Sequence, residues 1–252
     1  TGTSLVAAYR YSAHDLALSL NELRQELEEA VGAVALRLGT RPSETSSTPL
    51  IVFNAIGWER TDLVEVELPA PSSPGALISV FDAQGHELPS QWQTEGTTTR
   101  GRFAAHLPSL GCSRFEVSAA PPGTRTPASE LSAGESFLEN ARLRVEIDDN
   151  GDISRIFDKQ AQRELLAALI GLEILDNFSD RFPSWEIRWE DTSRPARTRI
   201  AGPVRAPAVE RGAARVAVTI ERIAEGSHFR QTISLAVGAA GDHVAIETAI
   251  DW

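Results

Sequence analysis

The sequence has no methionine in 252 residues. A natural reading frame opens with one, so the sequence points to a native N-terminus upstream of Thr1, or to modified methionines missing from the sequence as written. Lysine is almost absent too. Lys159 stands alone among arginines, a codon-composition pattern that says little about function. The single cysteine, Cys112, cannot form an internal disulfide, so nothing indicates an extracellular disulfide framework. No apolar run approaches the length of a membrane-spanning helix and no basic-then-apolar leader opens the chain, so the expected compartment is the cytoplasm. Clustered positive charge is missing as well. A net charge of -11 argues against nucleic acid and anionic membrane as partners, because phosphate binding needs gathered Lys and Arg. A neutral, hydroxyl-rich ligand such as a sugar is compatible with this charge.

Reaction motifs are lacking in the same way. There is no G-x-S-x-G elbow, P-loop, HExxH or paired CxxC. None of His14, His86, His106, His228 and His243 forms a metal-ligand spacing with another His or Cys. His14-Asp15 comes nearest, but successive helical positions point about 100° apart and need outside partners. Asp148-Asp149-Asn150-Gly151-Asp152 lacks the spacing of an EF-hand loop and is expected to be a hairpin turn, with Asn-Gly supplying two residues that tolerate positive φ.

What is present is a change of period. Residues 4–38 are predicted helix: Leu16, Leu20, Leu23, Leu27, Ala30, Val34 and Leu38 recur at spacings of three and four and share one face. Gly39 is placed to cap this helix and Pro42 bars its continuation. No second helix in the sequence can cover the apolar stripe, so its partner should be a bundle from an upstream segment or the β part that follows. Beyond a polar linker at 40–49 the period becomes two. Val64, Val66 and Leu68 alternate with Glu65 and Glu67, and Phe103, Ala105 and Leu107 with Arg102 and His106. A small antiparallel β domain over 50–118 is expected. A second linker spans 119–136, and another β region follows at 137–252. Leu143, Val145 and Ile147 share a face there, as do Val216, Val218 and Ile220. Trp185, Ile187 and Trp189 alternate with Glu186, Arg188 and Glu190, which predicts a strand. The final strand carries Val244, Ile246, Thr248 and Ile250, and the sequence stops at Trp252 with no turn signal, as a truncated sheet would. Trp58, Trp92, Trp185, Trp189 and Trp252 either fill the core or, for Trp185 and Trp189, form a stacking platform for sugar rings.

Several phrases are more specific than the periodicity. They are Thr1-Gly2-Thr3-Ser4, Val52-Phe53-Asn54 with Trp58-Glu59-Arg60, Leu107-Pro108-Ser109-Leu110-Gly111 with Phe115, and Leu138-Glu139-Asn140 with Leu143-Arg144-Val145. Asn150-Gly151-Asp152-Ile153, Phe157-Asp158-Lys159, 202–206 (GPVRA) and Asp251-Trp252 follow. In this order the chain resembles the middle and C-terminal part of glycoside hydrolase family 38, the α-mannosidases. The resemblance implies a mainly β chain: one long N-terminal helix (1–39, the last of a bundle), the small β domain, then part of a galactose-mutarotase-like β-supersandwich. It implies a parent that is a zinc-dependent retaining α-mannosidase, with mannose-containing glycans or glycosides as substrates. Catalytic and metal residues are expected upstream of Thr1, none on this chain, and the chain alone is expected to be inactive and to dock on those missing domains. Asp176, Asp180, Trp185 and Glu186 are the candidate substrate-lining residues. The rival expectations are a hydrolase of a small mannosyl conjugate, a non-catalytic carbohydrate-binding or scaffold module, and a mutarotase-type epimerase.

Overall fold

The computed structural model describes residues 5–38, 47–71, 76–120, 130–182 and 185–252. The chain is mainly β, with one long helix, as its periodicities require. Helix α1 (Val6–Arg37) holds the expected span and is laced by Arg24–Glu28 and Gln25–Glu29 hydrogen bonds at i,i+4. Gly39 and Pro42 lie outside the described residues. No residue of α1 is buried, and Leu16, Leu20, Leu23 and Leu27 are exposed along the stripe. The stripe keeps its expected position and lacks a cover; each leucine would gain about 1.5–3 kcal/mol on full burial. Chain contacts group this helix with residues 175–196, and the remainder forms a second unit.

The second unit opens with two antiparallel sheets. The strands are β1 (Ser47–Asn54), β2 (Arg60–Pro69), β3 (Leu77–Phe81), β4 (Glu87–Leu88), β5 (Ser90–Glu95), β6 (Thr98–Leu107) and β7 (Gly111–Ala120). One sheet runs β1-β7-β3-β4 and the other β2-β6-β5. Their inner faces meet over Val80, Phe103, Ala105, Leu107, Phe115 and Val117, with the Phe103 and Phe115 rings edge to face at 5.0 Å. Asn54, 2% exposed, fixes one end: its Nδ2 donates to the Trp58 and Pro108 carbonyls, at 2.9 and 2.8 Å. Leu110, held at φ 45°, donates its backbone N–H to the Ile56 carbonyl. The phrases VFNxxxW and LPxLG are thus two halves of one turn lock.

The later strands are β8 (Ser132–Gly134), β9 (Phe137–Glu139), β10 (Leu143–Ile147), β11 (Ile153–Asp158), β12 (Arg163–Glu164), β13 (Glu173–Ile174), β14 (Thr198–Arg199), β15 (Ala208–Arg211), β16 (Arg215–Ala224), β17 (Ser227–Ala236) and β18 (Ala245–Asp251). Sheets β12-β11-β10-β9-β8 and β15-β16-β17-β18 pack over Leu138, Leu143, Val145, Ile147, Ile153, Val216, Val218, Ile220, Ile233 and Leu235. Asn140 spends all its capacity here. It donates to the Ala236 and Gly241 carbonyls and accepts from the Arg142 and Leu143 N–H groups, all within 3.0 Å.

The structure corrects four expectations. Residues 185–190 contain no strand; Trp189 opens a single helical turn, α2 (Trp189–Thr192). Strand β8 falls within the expected second linker, whose residues 121–129 lie outside the described ones. Strand β1 begins at Ser47, inside the first linker, whose residues 40–46 are likewise not described. The β10–β11 hairpin forms, but only Gly151 takes positive φ, at 79°. A register shift at Glu146–Ile147 and the Asp148 N–H donating to the Asp152 carbonyl accommodate the turn instead.

Gly101 lies on β6 directly opposite Trp92, and a Cβ there would sit 2.1 Å from the indole. The ring is rigid and packs against the core of the first β domain. Gly101→Ala is expected to destabilise the chain by about 1–3 kcal/mol, as overpacking does, measured by urea unfolding.

Candidate functional site

Residues 175–191 carry the four candidate residues. This segment is knitted by side chains bonding to backbone. Asn177 Oδ1 accepts from the Ser179 N–H, and Asn177 Nδ2 donates to the Glu186 carbonyl at 2.9 Å. The buried Ser179 hydroxyl donates to Glu186 Oε2 at 2.8 Å and accepts from the Phe182 N–H. Asp191, 3% exposed, accepts from the Phe178 N–H and pairs with Arg194. These bonds offer the backbone an alternative to a sheet ladder, which is why the strand-like alternation of 185–190 does not become a strand.

Within this segment Asp176 is half-buried, and Asp180, Trp185 and Glu186 are exposed. The structure brings Glu186 onto Ser179 and Asn177. Trp185 and Trp189, 75% and 80% exposed, are not core residues, and Trp58 and Trp252 are exposed too. Only Trp92 serves the core. Phe178 and Phe182 lie beneath the guanidinium groups of Arg194 and Arg181, 4.5 and 5.3 Å from the ring centroids. Ser179 and Asp191 are the residues that sequence reasoning missed. The Asn-x-Ser spacing of 177–179, suited to an Asx turn, was the available signal.

The Ser179 hydroxyl bond holds the Glu186 carboxyl below its ordinary value. Partial desolvation opposes this and Arg188 reinforces it. Glu186 is therefore a carboxylate acceptor for a ligand hydroxyl and is ill suited to donate a proton near neutral pH. Its depressed value means a stabilising contribution present above the unfolded glutamate value and lost as pH falls through the folded one. Ser179→Ala is expected to move the Glu186 midpoint up toward about 4.3, read from the side-chain carboxyl resonance in an NMR titration.

A second concave surface, about 900 Å³, lies over the outer face of β2-β6-β5 and is walled by β15. Its polar groups are largely committed to one another. Arg102 bridges Glu65 at 2.5 Å and Glu210 at 2.9 Å, and Gln91 donates to Glu210 while accepting the Arg215 N–H. Among the described residues no group of three or more His, Cys, Asp or Glu could hold a metal ion. His14 and Asp15 sit exposed at successive positions of α1, which does not fit a ligand pair.

The innermost charges lie elsewhere. Arg222, 1% exposed, points into the sandwich and donates to Asp152 Oδ1 at 3.1 Å and to the Asn150 carbonyl. Arg199 takes the other Asp152 oxygen at 2.8 Å. Burial pushes the Arg222 guanidinium below its ordinary value, while Asp152 and Asp148 pull it back. Asp152→Ala leaves this buried charge unpaired and is expected to cost about 3–5 kcal/mol in urea unfolding.

Residues 138–252, which include this sandwich, match the glycosyl hydrolases family 38 C-terminal domain. The chain carries a family 38 C-terminal domain. Two solved structures share the fold. One is a protein in glycosyl hydrolase family 38 from Enterococcus faecalis, with a TM-score of 0.54 and 14% identity, covering 82% of this chain and 32% of that one. The other is an alpha-mannosidase from Enterococcus faecalis V583, with a TM-score of 0.57 and 14% identity, covering 94% of this chain and 34% of that one. That coverage extends the shared fold upstream of Leu138. The chain spans about a third of the length of each neighbour. No curated protein matches it.

Proposed function

We propose that this chain is the C-terminal portion of a zinc-dependent retaining α-mannosidase that removes terminal α-D-mannose. The match of residues 138–252 to the family 38 C-terminal domain carries the reading. The β region at 137–252 is then the opening part of a mutarotase-like supersandwich. The domain supports a catalytic domain lying outside these residues, and Asp176, Asp180, Trp185 and Glu186 line the sugar site from the β side. The uncovered stripe of α1 supports docking against further helices of the same protein. In such a parent, zinc would hold hydroxyls of the terminal mannose. This chain's own contribution is to bind and orient: Glu186 as an acceptor, Trp185 as a stacking face. Among the described residues no helix is long and apolar enough to cross a membrane.

The full-length protein is expected to release mannose from an aryl α-mannoside and to lose that activity with a chelator, while this chain alone is inert. A full-length protein inert on α-mannosides and active on another glycoside would overturn the reading. The exposed Trp185 and Trp189 also favour a second reading, a carbohydrate-binding module without catalysis. Calorimetry of this chain with oligomannosides separates the two, since binding retained without the catalytic domain favours the module.

A further inference from the structure

Where β2 leans across the outer face of β16–β18, a second pocket of about 240 Å³ opens. Arg215 and Ser234 line it, with Ala236, Ala240 and Ala245 too small to fill it, and with Asp62, His243 and Glu247 also on its lining. Arg215 is the unusual member. Its Nε is shielded from solvent and has no hydrogen-bond partner. Its guanidinium reaches Glu65 only at 4.0 Å through Nη1, while its backbone N–H is taken by Gln91. A buried donor without an acceptor is costly, and folded proteins rarely leave one so.

We propose that this pocket binds one small neutral polyhydroxy molecule, of the polyol or monosaccharide class, through Arg215. Size admits a single ring or short polyol, not an extended chain. Charge excludes a simple anion, because Asp62 and Glu247 offset Arg215. Asp62 is already committed to Arg60 and to the Leu63 N–H, both at 2.8 Å. Hydroxyl groups answer what remains, since each accepts and donates. One takes the Arg215 Nε–H and its neighbours donate to Glu247. This site stands apart from residues 175–191 and does not rest on the α-mannosidase reading.

The test is a ¹H–¹⁵N NMR titration of the whole chain, observing the Arg215 Nε–H, with glycerol, myo-inositol and D-mannose as probes and inorganic phosphate as the charge control. A saturable shift with at least one of the three, and none with phosphate, is the expected result. Arg215→Met should abolish it. Ala245→Leu, which closes the pocket from an exposed rim position, should abolish it without touching the Glu65 contact. Melting temperature is not the readout, because polyols stabilise most proteins by exclusion from their surface. No saturable shift with any of the three, as when a fixed water alone satisfies Arg215, overturns the proposal. So does saturable binding of phosphate, or a shift that survives Ala245→Leu.

Discussion

A guanidinium inside a hydrophobic sandwich is tolerable only when a carboxylate meets it, and Asp152 is that carboxylate. The pair joins parts of the chain 70 residues apart, tying the β10–β11 hairpin to β16. Arg199 on the second Asp152 oxygen brings in β14, and the Ile153–Ile170 bridge secures the segment between. The geometry then dictates small residues around it. A Cβ on Gly151 would meet Arg222 Nη2 and Ile220 Cγ2, each at 2.8 Å, and one on Gly171 would meet the Asp152 carboxylate at 3.0 Å. The hairpin's glycine therefore serves the ion pair as well as the turn.

The two β bodies of the second unit are joined by polar groups. Gln91 on β5 uses both ends of its amide, on Glu210 and on the Arg215 backbone, and Arg102 sits between Glu65 and Glu210. A Cβ on Gly212 would fall 1.9 Å from Gln91 Oε1, so the close approach depends on that glycine. A junction built of directional bonds fixes the bodies' mutual orientation more sharply than an apolar seam would.

Much of this was legible in the sequence. The three-and-four spacing of leucines gave α1 within a residue or two, and the twofold alternations at 64–68, 103–107, 143–147 and 216–220 gave inward faces that the structure bears out. The misreading at 185–190 has a physical cause. Alternation states which residues could share a face, but a strand also needs a neighbour, and here Ser179, Asn177 and Asp191 take the local polar groups instead. Strands of two residues, such as β4 and β13, are too short to carry a period. Arg222 was visible in principle: it continues the inward face of Val216, Val218 and Ile220, where a charge signals a buried partner. Its partner Asp152 sits in a turn, and no pattern along the chain connects the two. The candidate site was located only through family resemblance, because nothing in residues 176–186 announces chemistry by itself.

β18 is the outermost strand of its sheet among the described residues, and every residue in it is exposed. A seven-residue strand with an unsatisfied backbone edge is a template for any other strand that can align with it. Ile246 and Ile250 add adhesive surface, while Glu247 and Asp251 repel identical copies. The chain's colloidal behaviour should therefore hinge on these two acids: acidification removes the repulsion and leaves the edge intact, so self-association into β-rich assemblies is favoured at low pH.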